Sequence, residues 1–132
     1  MPFWLSGGIN METKVIEIQN ELRQFCGTEQ YHKLTLGSLK GTDGVAYLCE
    51  RVSCYWLIDI IASVQPMLKR KGGDEFQVWT LKVNLKDHTA VVRCSDGNEN
   101  ELYVQEIGYT DFPLEEIVLF CTNDVVMLPG ES

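Results

Sequence analysis

Basic side chains are scarce in the second half of this sequence. Residues 72–132 contain 3 Lys or Arg against 12 Asp or Glu, whereas residues 1–71 contain 8 against 7. The formal net charge of the 132 residues is −8. Because an acidic surface repels a phosphate backbone, the sequence argues against direct binding of nucleic acid.

Metal-binding and disulfide motifs are also missing. The sequence has five cysteines and two histidines, with no Cys-x-x-Cys pair and no spacing typical of metal ligands. Free cysteine behaves as a small apolar residue, so we interpret these thiols as reduced core side chains. The sequence therefore predicts no cofactor and no metal site. The residues concerned are Cys26, Cys49, Cys54, Cys94, Cys121, His32 and His88.

Apolar runs long enough to span a membrane are absent as well. The first five residues are apolar, but they lack a basic flank and are interrupted by Ser6-Gly7-Gly8. We therefore predict a cytoplasmic protein without a membrane segment or signal peptide. Because Met11 directly precedes a helical pattern, we interpret residues 1–10 as an N-terminal extension and residues 11–132 as a single domain.

The first half of the chain has the periodicity of helices. Residues 12–26 predict an amphipathic helix, and residues 31–36 predict a short edge strand or an extended connection. Thr42 stands where a helix-capping residue is expected, before a second periodic run over residues 45–52. The order of elements in this half is therefore helix, short strand, helix.

A third helical segment is apolar on nearly all sides. It begins at Tyr55 and continues to Val64, and Pro66 and Gly72-Gly73 are expected to bracket its end. A helix of this kind is usually covered on several sides by the rest of a protein. Its one charged residue, Asp59, stands out for that reason.

From Glu75 onward the apolar residues alternate with polar ones, as in strands. A change of phase in the third strand suggests a bulge near Gln105 or Glu106. Short turn segments separate the strands, which favours antiparallel pairing, because parallel strands need long crossovers. The predicted strands cover residues 76–83, 89–94, 101–109, 118–121 and 125–128.

The last two strands predict a hairpin around Thr122, Asn123 and Asp124. The strand over residues 125–128 would then be an open edge, where a second copy of the chain could pair. Pro129 would limit such pairing. The oligomeric state stays open.

Helices grouped before strands predict an α+β fold. We expect a two-layer sandwich in which the N-terminal helices pack on a C-terminal antiparallel β-meander of four to five strands. The apolar helix near residues 55–66 would lie on one face of this sheet.

Several short motifs occur in a fixed order along the chain. They are GTEQY at 27–31, TDGV with YL at 42–48, YWLID with AS and Q at 55–65, FQVWTLKV at 76–83, and QEI leading into YTDFPL at 105–114. In these motifs the chain resembles a family of small bacterial and phage-borne proteins catalogued as a domain of unknown function. The resemblance covers residues 18–130 and implies a stand-alone cytoplasmic domain, without an activity or a catalytic residue.

Asp59 is the strongest single candidate for a functional residue. A carboxylate in an apolar helix must be hydrogen-bonded, paired or protonated. Asp59 could therefore be a structural carboxylate that ties the helix to a neighbouring loop, or an acid or base with a shifted pKa in a pocket. We define a candidate pocket of Asp59, Tyr55, Tyr31 and His32. The sequence shows no nucleophile motif beside it, and so the structural interpretation is favoured.

The missing catalytic motif and the acidic second half favour a non-enzymatic domain that binds a protein partner, in a regulatory or accessory role. One alternative is a small enzyme or ligand binder with a pocket between helices and sheet near Asp59. Another is an acidic inhibitor that mimics nucleic acid, which would need carboxylates at phosphate-like intervals along one surface.

Overall fold

The computed structural model of the chain describes residues 7–25, 30–34, 38–72 and 75–131. These residues form three α-helices, seven strands and one 3₁₀ turn, which confirms the α+β class. In chain order they are α1 Gly7–Leu22, β1 His32–Lys33, β2 Lys40–Gly41, α2 Asp43–Val52, α3 Tyr55–Arg70, β3 Gln77–Asn84, β4 Thr89–Ser95, β5 Glu101–Ile107, β6 Glu116–Thr122, β7 Val125–Met127 and the 3₁₀ turn Pro129–Glu131.

The seven strands form one mixed sheet in the order β1-β2-β7-β6-β3-β4-β5. The predicted antiparallel meander of four to five strands is therefore wrong in strand number and in path. Consecutive strands pair within β3-β4-β5, within β6-β7 and within β1-β2, but β6 pairs with β3 and not with β5. Residues 108–115 return the chain to β3, and their Thr110, Phe112 and Leu114 are buried there.

The strand β7 is not an open edge, contrary to the prediction. It lies between β6 and β2 and pairs with β2 in parallel. The Lys40 amide donates to the Asp124 carbonyl at 2.8 Å, and the Thr42 amide donates to the Val126 carbonyl at 3.0 Å. A two-residue strand from the first half of the chain therefore covers the backbone groups that the hairpin alone would leave unpaired.

Alternation within the strands was predicted correctly. Along β3, Gln77, Trp79 and Leu81 are buried, whereas Val78 and Thr80 are half-buried and point to the other face. The β6–β7 hairpin is confirmed, and its turn residues Asn123 and Asp124 both have positive φ. The bulge is misplaced in the prediction, because the irregularity falls between Cys94 and Ser95.

The helix α2 forms as its sequence predicts. The Thr42 hydroxyl oxygen accepts a hydrogen bond from the Val45 amide at 3.4 Å, and Val45, Leu48 and Cys49 are buried. The helix α1 begins earlier than predicted, at Gly7, and ends earlier, at Leu22. Residues 1–6, 26–29 and 35–36, on which other predictions fall, lie outside the described residues.

The helix α3 is amphipathic, and not apolar all round. One side enters the core, and the stripe formed by Tyr55, Asp59, Ser63 and Pro66 is exposed. Pro66 does not end the helix, which continues one turn further to Arg70. A proline can be accommodated here because its ring lies on the exposed side, where the helix can bend outward. The buried side consists of Leu57, Ile58, Ile61, Val64, Gln65 and Leu68.

None of the helices in the described part of the chain combines the length and the apolar character that a membrane span requires.

Candidate functional site

The four residues of the predicted pocket lie in two pairs on different elements. Tyr55 and Asp59 occupy the exposed stripe of α3, one turn apart. Tyr31 is exposed beside β1, and His32 is half-buried within it. Because Asp59 faces solvent, its carboxylate is not removed from water, and the reason for expecting unusual chemistry there disappears. The pocket itself stays a prediction.

His32 is engaged by a carboxylate that the sequence analysis did not consider. Its Nε2 lies 2.7 Å from Oδ1 of Asp43, the first residue of α2. Both side chains are partly exposed, at 37% and 29%. An aspartate in the first turn of a helix interacts favourably with the helix dipole, so this pair joins β1 to the start of α2.

The start of α2 also binds the C-terminal 3₁₀ turn. The Glu131 carboxylate accepts hydrogen bonds from the Thr42 hydroxyl at 2.5 Å, from the Gly44 amide at 3.2 Å and from the Leu128 amide at 3.1 Å. A Cβ on Gly44 would come within 2.6 Å of Glu131 and 2.5 Å of Leu128. The free amides of α2 are thus satisfied by the chain itself.

An open apolar cleft lies elsewhere, where α1 meets the β3–β4 turn and the segment between β5 and β6. We call it the α1 groove. Its volume is about 560 Å³. It is lined by Val15 and Ile16 of α1, Leu85 and His88 of the turn, and Asp111, Phe112 and Pro113.

Three of the exposed large hydrophobic side chains lie at or beside the α1 groove. Ile16 is 56% exposed and Leu85 is 41% exposed, while Phe112 is buried. Tyr109, 70% exposed, places its ring 5.6 Å from the His88 ring. The groove therefore has large apolar residues at its rim, and its polar side chains come from His88 and Asp111.

The backbone holds His88 in a left-handed conformation, with φ of 58°. Its amide donates to the Asn84 carbonyl at 2.8 Å, and its carbonyl accepts from the Thr110 amide at 2.7 Å. The second bond fixes the β3–β4 turn to the segment that carries Phe112. Two of the three walls of the groove, the turn and this segment, are therefore joined by a backbone hydrogen bond and do not depend on side chains alone.

The described cysteines are poorly suited to nucleophilic chemistry. Cys49, Cys54, Cys94 and Cys121 are buried and free. A hydrogen bond with Cys49, together with burial, raises the pKa of the Cys54 thiol, and burial raises the pKa of Cys94 and of Cys121 to about 12. Since the thiolate is the reactive form, the thiols of Cys54, Cys94 and Cys121 are inert at neutral pH. Their predicted role as core residues is confirmed.

Metal-ligating side chains do not gather into a group of three or more among the residues that the structure describes. The sequence analysis missed the α1 groove because its walls are far apart in the chain. One local signal was present, since Leu85 is a large apolar residue in a turn, where an exposed polar residue is usual.

The model of a family described as "Family of unknown function (DUF6876)" matches residues 16–132. No curated protein and no solved structure matches the chain significantly.

Proposed function

Because the chain belongs to this family of unknown function, which assigns it no activity, we propose a function from its surface. We infer that it is a non-enzymatic cytoplasmic domain that binds a protein partner, and that an apolar segment of that partner enters the α1 groove. The reduced, buried thiols support the intracellular location.

The observation that carries this proposal is the exposed apolar rim of the groove. Ile16, Leu85 and Tyr109 are large, exposed and grouped around one cleft. A soluble protein rarely keeps contiguous apolar surface exposed unless something covers it. Burying one such side chain contributes about 1.5–3 kcal/mol, so three of them supply a useful share of a binding free energy.

Charge indicates the chemistry of the partner. Asp111 lines the groove, and residues 72–132, which form most of its walls, have a large acidic excess. A partner segment with Lys or Arg beside its apolar residues would complement this surface and would be attracted to it over a distance. We therefore expect an apolar segment flanked by basic residues.

Site-specific photo-crosslinking tests the proposal. A benzophenone amino acid is placed at Ile16, at Leu85, or, as a control, at Tyr55 on the exposed stripe of α3, and the cells that naturally express the protein are irradiated. We expect the same protein adduct from positions 16 and 85 and none from position 55. Absence of a protein adduct at the groove, or the same adducts at all three positions, would refute the proposal.

Two substitutions measure the contribution of the groove once that adduct is identified. Leu85→Asp places a charge on the apolar rim and should weaken binding at least tenfold, whereas Tyr55→Asp should change it less than twofold. Asp111→Lys should weaken binding most at low salt, because screening already reduces the attraction at high salt. Equal effects of Leu85→Asp and Tyr55→Asp would contradict the assignment.

The two alternative functions have less support. Asp59 is exposed, so a pocket enzyme would have to work with an ordinary surface carboxylate. Nucleic-acid mimicry needs free carboxylates in series, but Asp96 accepts hydrogen bonds within its own loop and Glu101 pairs with Arg93 at 2.7 Å. A groove adduct with a small molecule instead of a protein would favour ligand binding.

A further inference from the structure

The sheet has a second face that the core does not use. On it, side chains of alternate residues are half-buried or exposed, and they are not part of the cluster that holds the helices on the sheet. We call this surface the outer face. Its central apolar residues are Phe76, Val78, Val91, Val118, Phe120 and Met127.

These residues form a continuous patch across neighbouring strands. Val78 and Phe120 are directly opposite each other on β3 and β6, and Phe120 is opposite Met127 on β7. The rings of Phe76 and Phe120 meet edge to face, 5.1 Å apart. Phe76 is 38% exposed, and so is Val104 at the edge of the face on β5. An ordered aromatic patch of this kind is typical of an interface.

The charge of the outer face differs from that of the rest of the second half of the chain. It carries Lys82 and Arg93, which are two of the three basic residues after position 71. Arg93 pairs with Glu101 at 2.7 Å, and Lys82 lies directly opposite Glu116 on β6. Glu99 and Glu106 also lie on this side of the sheet, and so do Lys33 and Lys40 of β1 and β2. With these residues included, the face has four basic and four acidic side chains, on a chain whose net charge is −8.

A near-neutral face with paired charges suits one occupant better than others, namely a second copy of this chain. Two copies would repel each other on any acidic surface, but a two-fold axis through the outer face brings mixed charges and identical apolar patches together. A strongly basic partner would find more complementary charge elsewhere on the molecule.

The size of the face is adequate for a dimer. Four strands of about seven residues, at about 4.8 Å spacing and about 3.3 Å per residue, give a footprint of about 19 by 23 Å, and the short strand β7 adds about 5 by 10 Å. The accessible area on such a corrugated surface exceeds its flat footprint, and a standard interface buries about 800 Å² per partner. Sheets packed face to face at about 10 Å are a common arrangement.

We propose that two copies of this chain associate through their outer faces, with the two sheets packed against each other and the helices on the outside. The edges of the sheet are less suited to this role, since β1 has only two residues and β5 presents Glu101 and Glu106. The outer face shares no residue with the α1 groove, and the dimer would leave the groove open to a partner.

Sedimentation equilibrium of the whole chain at 5–200 µM tests the dimer. We expect a mass of twice 15.0 kDa at the upper concentrations. Phe120→Asp would bury an unpaired charge in each half of the interface and should weaken association at least tenfold. Thr80→Lys, at a half-buried polar position of the same face, is a milder variant in case Phe120→Asp does not fold, as judged by circular dichroism.

The matched control is Leu85→Asp, which changes the α1 groove and should leave the dimer unchanged. A wild-type chain that stays monomeric at 200 µM overturns the proposal. So does a folded Phe120→Asp or Thr80→Lys variant that dimerises like the wild type, or a Leu85→Asp variant that does not dimerise. The chain can form the dimer without giving a groove adduct, and it can give a groove adduct without forming the dimer. The two proposals are therefore tested separately.

Discussion

Ser53, at the residue scale, ends α2 with a left-handed backbone, at φ 55° and ψ 47°. A residue with a side chain pays about 1 kcal/mol for this conformation, whereas glycine adopts it freely. Ser53→Gly should therefore raise the free energy of unfolding by roughly 0.5–1 kcal/mol in urea titrations. The same change at Ser63, inside α3, should lower it by about 0.5 kcal/mol. Shifts of the same sign at both positions would contradict this explanation.

Gln77 is a fully buried polar side chain at the centre of a hydrogen-bond network. Its Oε1 accepts from Gln65 Nε2 and from Trp79 Nε1, both at 2.8 Å, and its Nε2 donates to Gln65 Oε1 at 3.0 Å. Gln77→Leu would leave two buried groups without these partners and should lower the free energy of unfolding by about 2–4 kcal/mol.

A double-mutant cycle checks the network that joins α3 to β3. Each single variant leaves the other glutamine amide buried without its partner, whereas Gln65→Leu/Gln77→Leu removes both amides. The loss of unfolding free energy in the double variant should therefore be clearly smaller than the sum of the losses in the two single variants. Urea titration of all four proteins measures this. Strict additivity would mean that the two glutamines do not act together.

At the scale of elements, the C-terminal 3₁₀ turn stabilises α2 through Glu131. Glu131→Ala removes two hydrogen bonds at the start of that helix, from Thr42 and Gly44, and a third from the Leu128 amide, and should cost about 1–2 kcal/mol of stability. Amide hydrogen exchange should accelerate at Gly44. Glu50, an exposed carboxylate near the end of the same helix, provides the control. If Glu50→Ala has the same effect, capping by Glu131 is not the cause.

Sequence patterns predicted the positions of the helices and strands better than they predicted which strands pair. The cap at Thr42, the alternation in β3 and the β6–β7 hairpin depend on neighbours within a few residues, and all three were predicted correctly. The bulge was misplaced because a bulge is a property of two strands. Ser95 pairs with Glu101 while Cys94 pairs with Tyr103, and that mismatch cannot be seen in β5 alone.

At the scale of the whole molecule, the buried thiols predict sensitivity to alkali. The pKa of Cys94 and of Cys121 rises from an ordinary value of 9.0 to about 12. Between pH 9 and pH 12 the thiols of the unfolded chain lose their protons, whereas those of the native chain keep them. The free energy of unfolding is therefore unaffected by these thiols below pH 9 and falls as the pH rises toward 12. We expect a loss of about 2 kcal/mol for each of the two thiols, and so about 4 kcal/mol in total, between pH 8 and pH 10.5.

Urea titrations at the two pH values measure this loss. In the variant Cys94→Ala/Cys121→Ala the stability at pH 8 should be lower, because cavities form in the core, but its decline toward pH 10.5 should be smaller. An unchanged decline would show that other groups cause the alkaline sensitivity. Iodoacetamide should leave both cysteines of the native wild-type chain unmodified at pH 8.

The arrangement of the whole molecule explains why Asp59, the strongest candidate in the sequence, is an exposed surface residue. Asp59 drew attention because the helix around it reads as apolar, yet hydropathy does not say how many sides of a helix are covered. Tyr55 and Ser63 share its exposed stripe. Only the position of α3 on the sheet, with its other side against the core, makes an aspartate at this place ordinary.

The sequence by itself determined the α+β class, the helical and strand segments and the buried sides of most of them, because these follow from local periodicity and capping. The tertiary structure alone decided the strand order, the parallel pairing of β2 with β7, the α1 groove and the outer face. Each of these depends on residues far apart in the chain, such as Ile16, Leu85 and Phe112. Contacts of that kind are set by the packing of the entire core, and no short stretch of sequence contains them.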